Sequence, residues 1–209
     1  KLDMPMQEGS GTAILDGSGN QNHGTGSGIT WATGQEYGFQ HPLVRSNNPM
    51  VFDGTNDYID LGTTFSYTNH TFSVWAYPIS GSAQHRHIVD TRDGGNDGLR
   101  LAFNTSDQVY YNVNSSELTT SSTWENEWVH VVGTYDGTTQ KLYLNGVLEQ
   151  STTTSQSVST TVNSLIGARS FSTKTNYFDG MMNDVAIWDS ALTATEVAAL
   201  YNSGLPLLP

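Results

Sequence analysis

The stretch WVHVVGTYDGTTQKLYLNGVLE, residues 128–149, decides the fold. Its β-branched and aromatic runs, Trp128–Tyr135 and Gln140–Leu144, flank a polar Asp136-Gly137 turn, which is typical of two short strands. A third run, Val147–Thr152, begins directly after Asn145-Gly146. Both central residues of a type I′ turn need positive φ, which Asn and Gly tolerate best, so the sequence predicts a β-hairpin around these two residues.

Similar short runs recur on both sides of this stretch, separated by turn signals such as Asp53-Gly54 and Asp179-Gly180. The predicted strands are Met50–Phe52, Tyr58–Leu61, Thr71–Tyr77, His87–Asp90, Gly98–Phe103, Gln108–Asn112, Ser164–Ala168 and Met181–Trp188, with a short edge strand near Leu2. The segment Gly9–Gly28 is rich in Gly, Ser and Asn and is expected to be a polar loop. Many short strands at this spacing favour a β-sandwich or barrel.

One helix is expected near the end of the chain. Thr193-Ala194-Thr195-Glu196 is a capping box, in which the Thr hydroxyl accepts from the N3 amide and the Glu reaches back. An apolar face follows at Val197, Leu200 and Tyr201, and Gly204 ends the pattern. No linker or repeat interrupts the sequence, which favours one domain over residues 1–209.

Composition narrows the class of function. The chain has 209 residues, no cysteine and a formal net charge of −12. Such an acidic surface repels phosphate backbones and anionic membranes, so neither nucleic acid nor membrane is an expected partner. No apolar run approaches the ~20 residues of a membrane helix. An extracellular sandwich without disulfides favours a bacterial or viral origin, and Lys1, which is not a natural start, favours a processed or excised module.

Six blocks, in order, carry a resemblance to a known family. They are Asp16–Gly24, Phe52–Gly62, Thr71–Pro78, Trp128–Gly137, Leu142–Gly146 and a last block running from Ile166 through Asp179-Gly180 to the 193–204 helix. Together they resemble the laminin G-like domains of the concanavalin A-like jelly rolls. The resemblance implies two stacked antiparallel sheets and an all-β sandwich with one short C-terminal helix. It does not imply one function, because the fold hosts lectins, adhesion modules and glycosidases.

A calcium loop is the first candidate site. Asp16, Ser18, Asn20 and Asn22 place side-chain oxygens at every second position of a Gly-rich loop, and Ca²⁺ takes 6–8 oxygen ligands. The resemblance further implies that Asp184 lies near this loop as a ligand. The alternative is a metal-free loop held by Asx turns. A second acidic segment, Asp90–Asp97, is either a rim calcium loop or an ordinary turn.

Sugar binding needs aromatic faces and planar polar groups. Along Phe72–Tyr77 the side chains alternate, so Phe72, Val74 and Ala76 share one face while Trp75 and Tyr77 share the other. If that second face is open, Trp75 and Tyr77 form a stacking platform, and Arg100, Tyr110 and Tyr177 are candidates for the same surface. The alternative is that these aromatic residues belong to the core.

His85-Arg86-His87 and Arg92 are either a contact for an acidic glycan or a plain surface loop.

Catalysis lacks a sequence signature. Retaining glycosidases need two carboxyls ~5–5.5 Å apart, and the nearest approach is Glu125-Asn126-Glu127, which lies where the family has a turn. We therefore expect a non-catalytic module that binds a polysaccharide or other glycan, at a cell or virion surface. The alternatives are a structural or protein-binding domain without a sugar site and, less favoured, a hydrolase or lyase.

Overall fold

The structure is a computed structural model and describes residues 1–32, 48–65, 67–79, 81, 83–92, 97–171 and 173–203. The strands are β1 (Leu2–Met4), β2 (Ala13–Ile14), β3 (Gly24–Ser27), β4 (Thr30–Trp31), β5 (Met50–Asp53), β6 (Tyr58–Asp60), β7 (His70–Pro78), β8 (Arg86–Asp90), β9 (Leu99–Phe103), β10 (Gln108–Val113), β11 (Ser116–Thr123), β12 (Val129–Tyr135), β13 (Thr139–Leu144), β14 (Val147–Thr153), β15 (Leu165–Ile166) and β16 (Asp179–Trp188). One helix, α1 (Ala194–Ser203), follows them.

The strands form two antiparallel sheets of eight strands each. The first sheet has the order β14-β13-β12-β7-β16-β5-β4, with β1 also paired to β16. The second sheet has the order β11-β10-β9-β8-β15-β6-β3-β2. Half of the neighbouring strand pairs join strands that are not consecutive in sequence, as in a jelly roll, so the predicted all-β sandwich with one C-terminal helix is confirmed.

The core lies between the sheets and follows the alternation of side chains along each strand. From the first sheet, Phe72, Val74 and Ala76 of β7 point inward, as the sequence predicts. From the second sheet, Leu101 of β9 and Tyr111 of β10 point inward. The Tyr111 ring packs so close to β12 that a Cβ at Gly133 would lie 3.0 Å from it, which explains the glycine in an otherwise apolar strand.

The second sheet is joined across its middle by a very short strand. β15 contributes two residues, Leu165 and Ile166, which pair with Asp60 and Ile59 of β6 on one side. On the other side they pair with Asp90 and Val89 of β8. Two multi-stranded halves, β2-β3-β6 and β8-β9-β10-β11, therefore meet at this strand.

The hairpin and the helix match the sequence-based predictions. Asn145 and Gly146 both have positive φ, 49° and 79°, and connect β13 to β14. At the start of α1 the Thr193 amide and hydroxyl both bond Oε2 of Glu196 at 2.7 Å. Gly204 lies outside the described residues.

The prediction of a polar loop over Gly9–Gly28 is wrong at two short strands, and a third strand was not predicted. Strands β2 and β3 lie within Gly9–Gly28, which was expected to be loop, and Gly26 pairs with Ile59 because a residue without a side chain fits beside Ile29. The polar strand β11 (SELTTSST) pairs with β10 although its sequence has few apolar residues. No helix among the described residues is long and apolar enough to span a membrane.

Candidate functional site

The outer face of the first sheet is covered by α1. Trp75 of β7 points outward, yet only 2% of it is exposed because Tyr201 of the helix stacks on its ring at 5.6 Å. On the neighbouring strand the His130 ring lies 5.1 Å from Trp75. Val197 and Leu200 of α1 complete the cover by packing on residues of β12, β13 and β16. The Trp75 ring is thus an attachment surface for the helix.

This placement corrects the expectation of one shared aromatic surface. Tyr77, half-buried, lies with Trp75 on the first sheet, and its ring is 5.7 Å from Trp128. Arg100 and Tyr110 lie on β9 and β10 of the second sheet. Their neighbours Leu101 and Tyr111 face the core, so Arg100 and Tyr110 face outward on the opposite side of the sandwich.

The outer face of the second sheet carries a ladder of polar side chains across three strands. Nε and Nη2 of Arg100 donate to Oδ1 of Asn112 at 3.0 and 2.6 Å. The Asn112 amide donates to Oε2 of Glu117 at 3.0 Å, and the Thr119 hydroxyl donates to Oε1 at 3.1 Å. The Arg100 side chain is 15% exposed and that of Glu117 is 48% exposed, so both reach solvent.

The Tyr110 ring packs against the Arg100 end of this ladder. The Arg100 guanidinium lies 4.4 Å above its ring, and its hydroxyl bonds Nδ1 of the half-buried His85 at 2.8 Å. Burial raises the pKa of Tyr110 to about 12, so the phenol keeps its proton at neutral pH. Burial, followed by the positive charge of Arg100, lowers the pKa of His85.

Beside these residues lies a buried ionic group, formed by β8 and the residues just after it. Nδ1 of His87 is 2.8 Å from Oδ2 of Asp90, and Nε of Arg92 is 3.2 Å from the same oxygen. Burial alone would raise the pKa of Asp90, but the hydrogen bond from His87 and the charge of Arg92 outweigh it and lower that pKa. Burial lowers the pKa of His87 to about 4, so its ring is neutral above that pH.

Tyr177 lies at the other side of the same face. Its hydroxyl donates to the carbonyl of Lys174 at 3.2 Å, and the Lys174 ammonium lies 4.8 Å from the centre of the Tyr58 ring. Tyr58 and Asp60 point outward because Ile59 between them is in the core. A groove of about 370 Å³ runs past them, and its lining is His23, Thr25, Gly26, Ser27, Tyr58, Asp60 and Gly62.

The structure thus brings together three of the five residues proposed for sugar contact and adds others that sequence reasoning missed. Arg100 and Tyr110 lie on the second sheet, and Tyr177 lies in the connection between β15 and β16, near Tyr58 of that sheet, whereas Trp75 and Tyr77 lie on the first sheet. The missed residues are Tyr58, Asn112, Glu117 and Thr119. The alternation of polar and apolar residues in Leu99–Phe103 and Tyr110–Val113 was a usable signal, since it assigns Arg100 and Asn112 to one outer face.

The proposed calcium loop gathers around the Lys1 carbonyl. Ser18 Oγ and the amide nitrogens of Asn20 and Asn22 lie 3.3, 3.3 and 2.8 Å from that oxygen. The Asp16 carboxylate accepts from the Asp3, Ser18 and Asn22 backbone amides and from the Ser18 hydroxyl. Burial alone would raise the pKa of Asp16, but these bonds together lower it.

The donor chemistry of this loop fits calcium in part. A carboxylate, a hydroxyl, two amides and a carbonyl lie together, and rotation of both amides would point their oxygens inward. However, the described loop satisfies its own polar atoms. Within the described ranges, no group of three or more His, Cys, Asp or Glu residues is placed to hold a metal.

Asp184 is not brought to the same point. In the pairing of β1 with β16, Met4 lies opposite Val185 and Leu2 lies opposite Ile187. Asp184 therefore lies beyond Met4, at the end of β1 away from Lys1, because antiparallel pairing runs the two strands in opposite directions.

In the other acidic segment Asp90 is buried against His87 and Arg92, and residues 93–96 lie outside the described residues.

The two acids considered for catalysis lie in a connection between strands. Glu125 and Glu127 are exposed, between β11 and β12, and Asn126 between them has a φ of 54°. A left-handed residue breaks the alternation that would place both carboxyls on one strand face.

The two antiparallel sheets have the topology of the concanavalin A-like class. A family model described as the concanavalin A-like lectin/glucanases superfamily, of the laminin G type, matches residues 53–198, and the chain belongs to that family. Comparison with curated protein sequences finds no match.

Solved structures with the same fold include domain 4 of AbnA, an extracellular GH43 arabinanase from Geobacillus stearothermophilus, in complex with arabinotriose. It has a TM-score of 0.69 and 18% identity, over 96% of this chain and 97% of that one. The binding domain of Paraclostridial Mosquitocidal Protein 1 matches at a TM-score of 0.71 and 16% identity, over 97% of this chain. The botulinum neurotoxin serotype G binding domain matches at 0.67 and 14%, over 96%. The protein spans about half of each toxin domain, 52% and 50%.

Proposed function

We propose that this protein is a non-catalytic glycan-binding module of a secreted protein, and that the outer face of its second sheet binds the glycan. The observation that carries the proposal is the ladder of Arg100, Asn112 and Glu117, which is ordered by hydrogen bonds and open to solvent at both ends. Fixed polar groups of this kind lose little conformational entropy when a ligand binds.

The chemistry of the face suits sugar hydroxyls. The guanidinium donates, the carboxylate accepts, and Tyr58 and Tyr177 supply aromatic surface on the same side of the sandwich. Three strand spacings of about 4.8 Å separate β9, which carries Arg100, from β6, which carries Tyr58, so these two strands are about 14 Å apart. This span suits an oligosaccharide more than a single sugar. A structure of the same fold, the arabinanase domain, was solved with arabinotriose, which supports the ligand class.

Affinity electrophoresis against soluble arabinan, xylan, galactan and polygalacturonate tests the proposal. Tyr58→Ala removes an aromatic ring from the proposed face, and Tyr77→Ala is its matched control because both tyrosines are half-buried on opposite outer faces. We expect retardation by at least one polysaccharide, and about tenfold weaker binding for Tyr58→Ala only. Retardation by none of the polymers, or equal losses in both variants, would contradict the proposal.

Catalysis is tested on the same polymers. We expect no release of reducing ends and no new absorbance from unsaturated sugars over a day at high protein concentration. Glu125→Gln is the control for contaminating activity, since activity that it abolishes would instead establish an enzyme.

We also propose that the Asp16–Asn22 loop takes a structural calcium ion. With one carboxylate in the described set, the expected dissociation constant is in the range of about 10⁻⁴ to 10⁻³ M. Calorimetry on chelator-stripped protein should give binding heat and a higher melting temperature with calcium. Asn20→Ala should weaken both effects, whereas Asn202→Ala, an exposed amide on α1, should not. No heat and no shift would remove the ion from the proposal.

A further inference from the structure

We propose, resting on the proposed function above, that the glycan is an acidic one and that Arg100 binds the carboxylate of a uronic acid residue. The geometry of two neighbouring guanidinium groups on the outer face of the second sheet carries this inference.

Arg92 and Arg100 lie on two sides of one carboxylate. Asp90 is paired directly with Arg100 across β8 and β9, and it bonds the backbone amide and Nε of Arg92 at 2.9 and 3.2 Å. Burial, and to a lesser degree the positive charge of Arg92, lower the pKa of Arg100. Asp90 thus lies next to both cations, and Glu117 lies 3.5 Å from Arg100, so two carboxylates balance the two guanidinium groups. The orientation and open donors of Arg100 therefore carry the inference.

Both guanidinium groups keep donors for a ligand. Arg100 uses Nε and Nη2 on Asn112, and Arg92 uses Nε on Asp90. Among the residues that the structure describes, neither Nη1 of Arg100 nor either Nη of Arg92 has a hydrogen-bond acceptor. The Arg100 side chain is 15% exposed and that of Arg92 is 6% exposed, so Arg100 makes the contact and Arg92 adds charge from beside it.

The Arg100 guanidinium is also held in one plane. It lies 4.4 Å above the Tyr110 ring while two of its nitrogens bond a single oxygen of Asn112. A fixed planar fork suits a planar carboxylate, which accepts two parallel hydrogen bonds. Glu117 does not take this role, since Asn112 and Thr119 hold its two oxygens and Nη2 of Arg100 is 3.5 Å away.

The charge of the whole chain separates carboxylated from sulfated ligands. The net charge is −12 with 8 Lys and Arg in all, so the protein as a whole repels a densely sulfated polymer. A polymer with one planar carboxylate per sugar carries fewer anions than a densely sulfated one. It can place one carboxylate at the two guanidinium groups while the rest of the acidic protein repels it less. The expected partner is therefore a uronic acid polysaccharide.

The probes are polygalacturonate, the same polymer after reduction of its carboxyls to alcohols, and chondroitin sulfate before and after desulfation. Titration calorimetry at fixed ionic strength compares them. We expect binding to polygalacturonate, a loss of about tenfold or more on carboxyl reduction, and no gain from sulfate groups. Equal binding to native and reduced polymer would overturn the inference but leave the glycan-binding proposal standing. Binding to no polymer would overturn both, and a preference for the sulfated form would overturn the carboxylate assignment.

Variants locate the contact. Arg100→Gln should weaken polygalacturonate binding about tenfold, and Arg100→Lys should recover only part of the loss because an ammonium lacks the planar fork. Lys141→Gln on β13 removes the same charge from the first sheet and should leave binding unchanged. Near-ultraviolet circular dichroism checks folding. Full binding by folded Arg100→Gln would overturn the assignment of Arg100.

Discussion

On both sheets the side chains alternate along the strands, and outward-pointing aromatic side chains result, but the outer face of the first sheet is covered and that of the second is partly open. β7 presents Trp75 and Tyr77 outward, and β9 and β10 present Arg100, Tyr110 and Asn112 outward. On the first sheet a helix stacks Tyr201 on Trp75 and buries it. On the second sheet, over the described residues, polar side chains order each other and remain partly open. An outward side chain thus becomes a packing or a binding group according to what covers it, which strand alternation alone does not specify.

Acid should produce the largest effect, and it acts on both faces. Burial lowers the pKa of His130, under the helix, to about 3 and that of His87, beside the polar ladder, to about 4. These pKa values lie below the ordinary 6.5. The contribution of the two neutral histidines to the free energy of unfolding is therefore fully present above pH 6.5 and is lost as pH falls toward 4. Each histidine contributes a slope of up to about 1.4 kcal/mol per pH unit. Urea unfolding between pH 7 and 4.5 measures it.

Single variants assign this slope to one face or the other. His130→Gln and His87→Gln should each flatten the dependence by one proton, with a matching drop in proton uptake on unfolding. Most carboxyls titrate near pH 4, below this window. A slope unchanged in both variants would mean that neither imidazole is held neutral.

Trp75→Ala should produce the next largest effect. Truncation leaves a cavity beneath α1, and large-to-small changes of this kind cost about 3–5 kcal/mol. Chemical unfolding measures the loss, while polysaccharide binding per folded molecule should be unchanged. If the folded variant loses binding, the division between a packing face and a binding face is wrong.

Thr193→Ala should destabilise α1, the helix that covers the first sheet, by less than Trp75→Ala does. The Thr193 hydroxyl and Glu196 form the capping box of α1, and loss of such a cap costs about 1 kcal/mol. Thermal unfolding measures the change. Glycan binding is the control, and it should match that of the unaltered protein because the box lies on the other side of the sandwich.

Arg100 and Glu117 should show the smallest effect on stability. Their charged atoms are 3.5 Å apart at a partly exposed site, so the coupling between Arg100→Gln and Glu117→Gln is expected at about 0.2–1 kcal/mol. A double-mutant cycle in urea measures it, and added salt should reduce it. A coupling of several kcal/mol would instead indicate a structural role for this pair.

The fold was readable from sequence because its determinants are local. The Asn145-Gly146 turn, the alternation along β7 and the capping box at Thr193 each express a preference of the residues concerned. The site was only partly readable. The pairing of β9 with β10 places Arg100 and Tyr110 on one face, and the connection after β15 places Tyr177 near Tyr58. Trp75, by contrast, is covered by Tyr201, 126 positions further along the chain. Contacts over such separations leave no periodic signal. The position of Asp184 was not readable for a similar reason, since it depends on the register of β1 against β16.

The two-residue strand β15 gives the second sheet a line of mechanical weakness. As a strand, β15 pairs with β6 and with β8 through Leu165 and Ile166, while β9 and β10 are joined over five residue pairs. The proposed binding of a polysaccharide implies that tension on the polymer would load the protein across this line. Tyr58 and Arg100 lie on opposite sides of β15, so such a load would act across the pairing of Leu165 and Ile166.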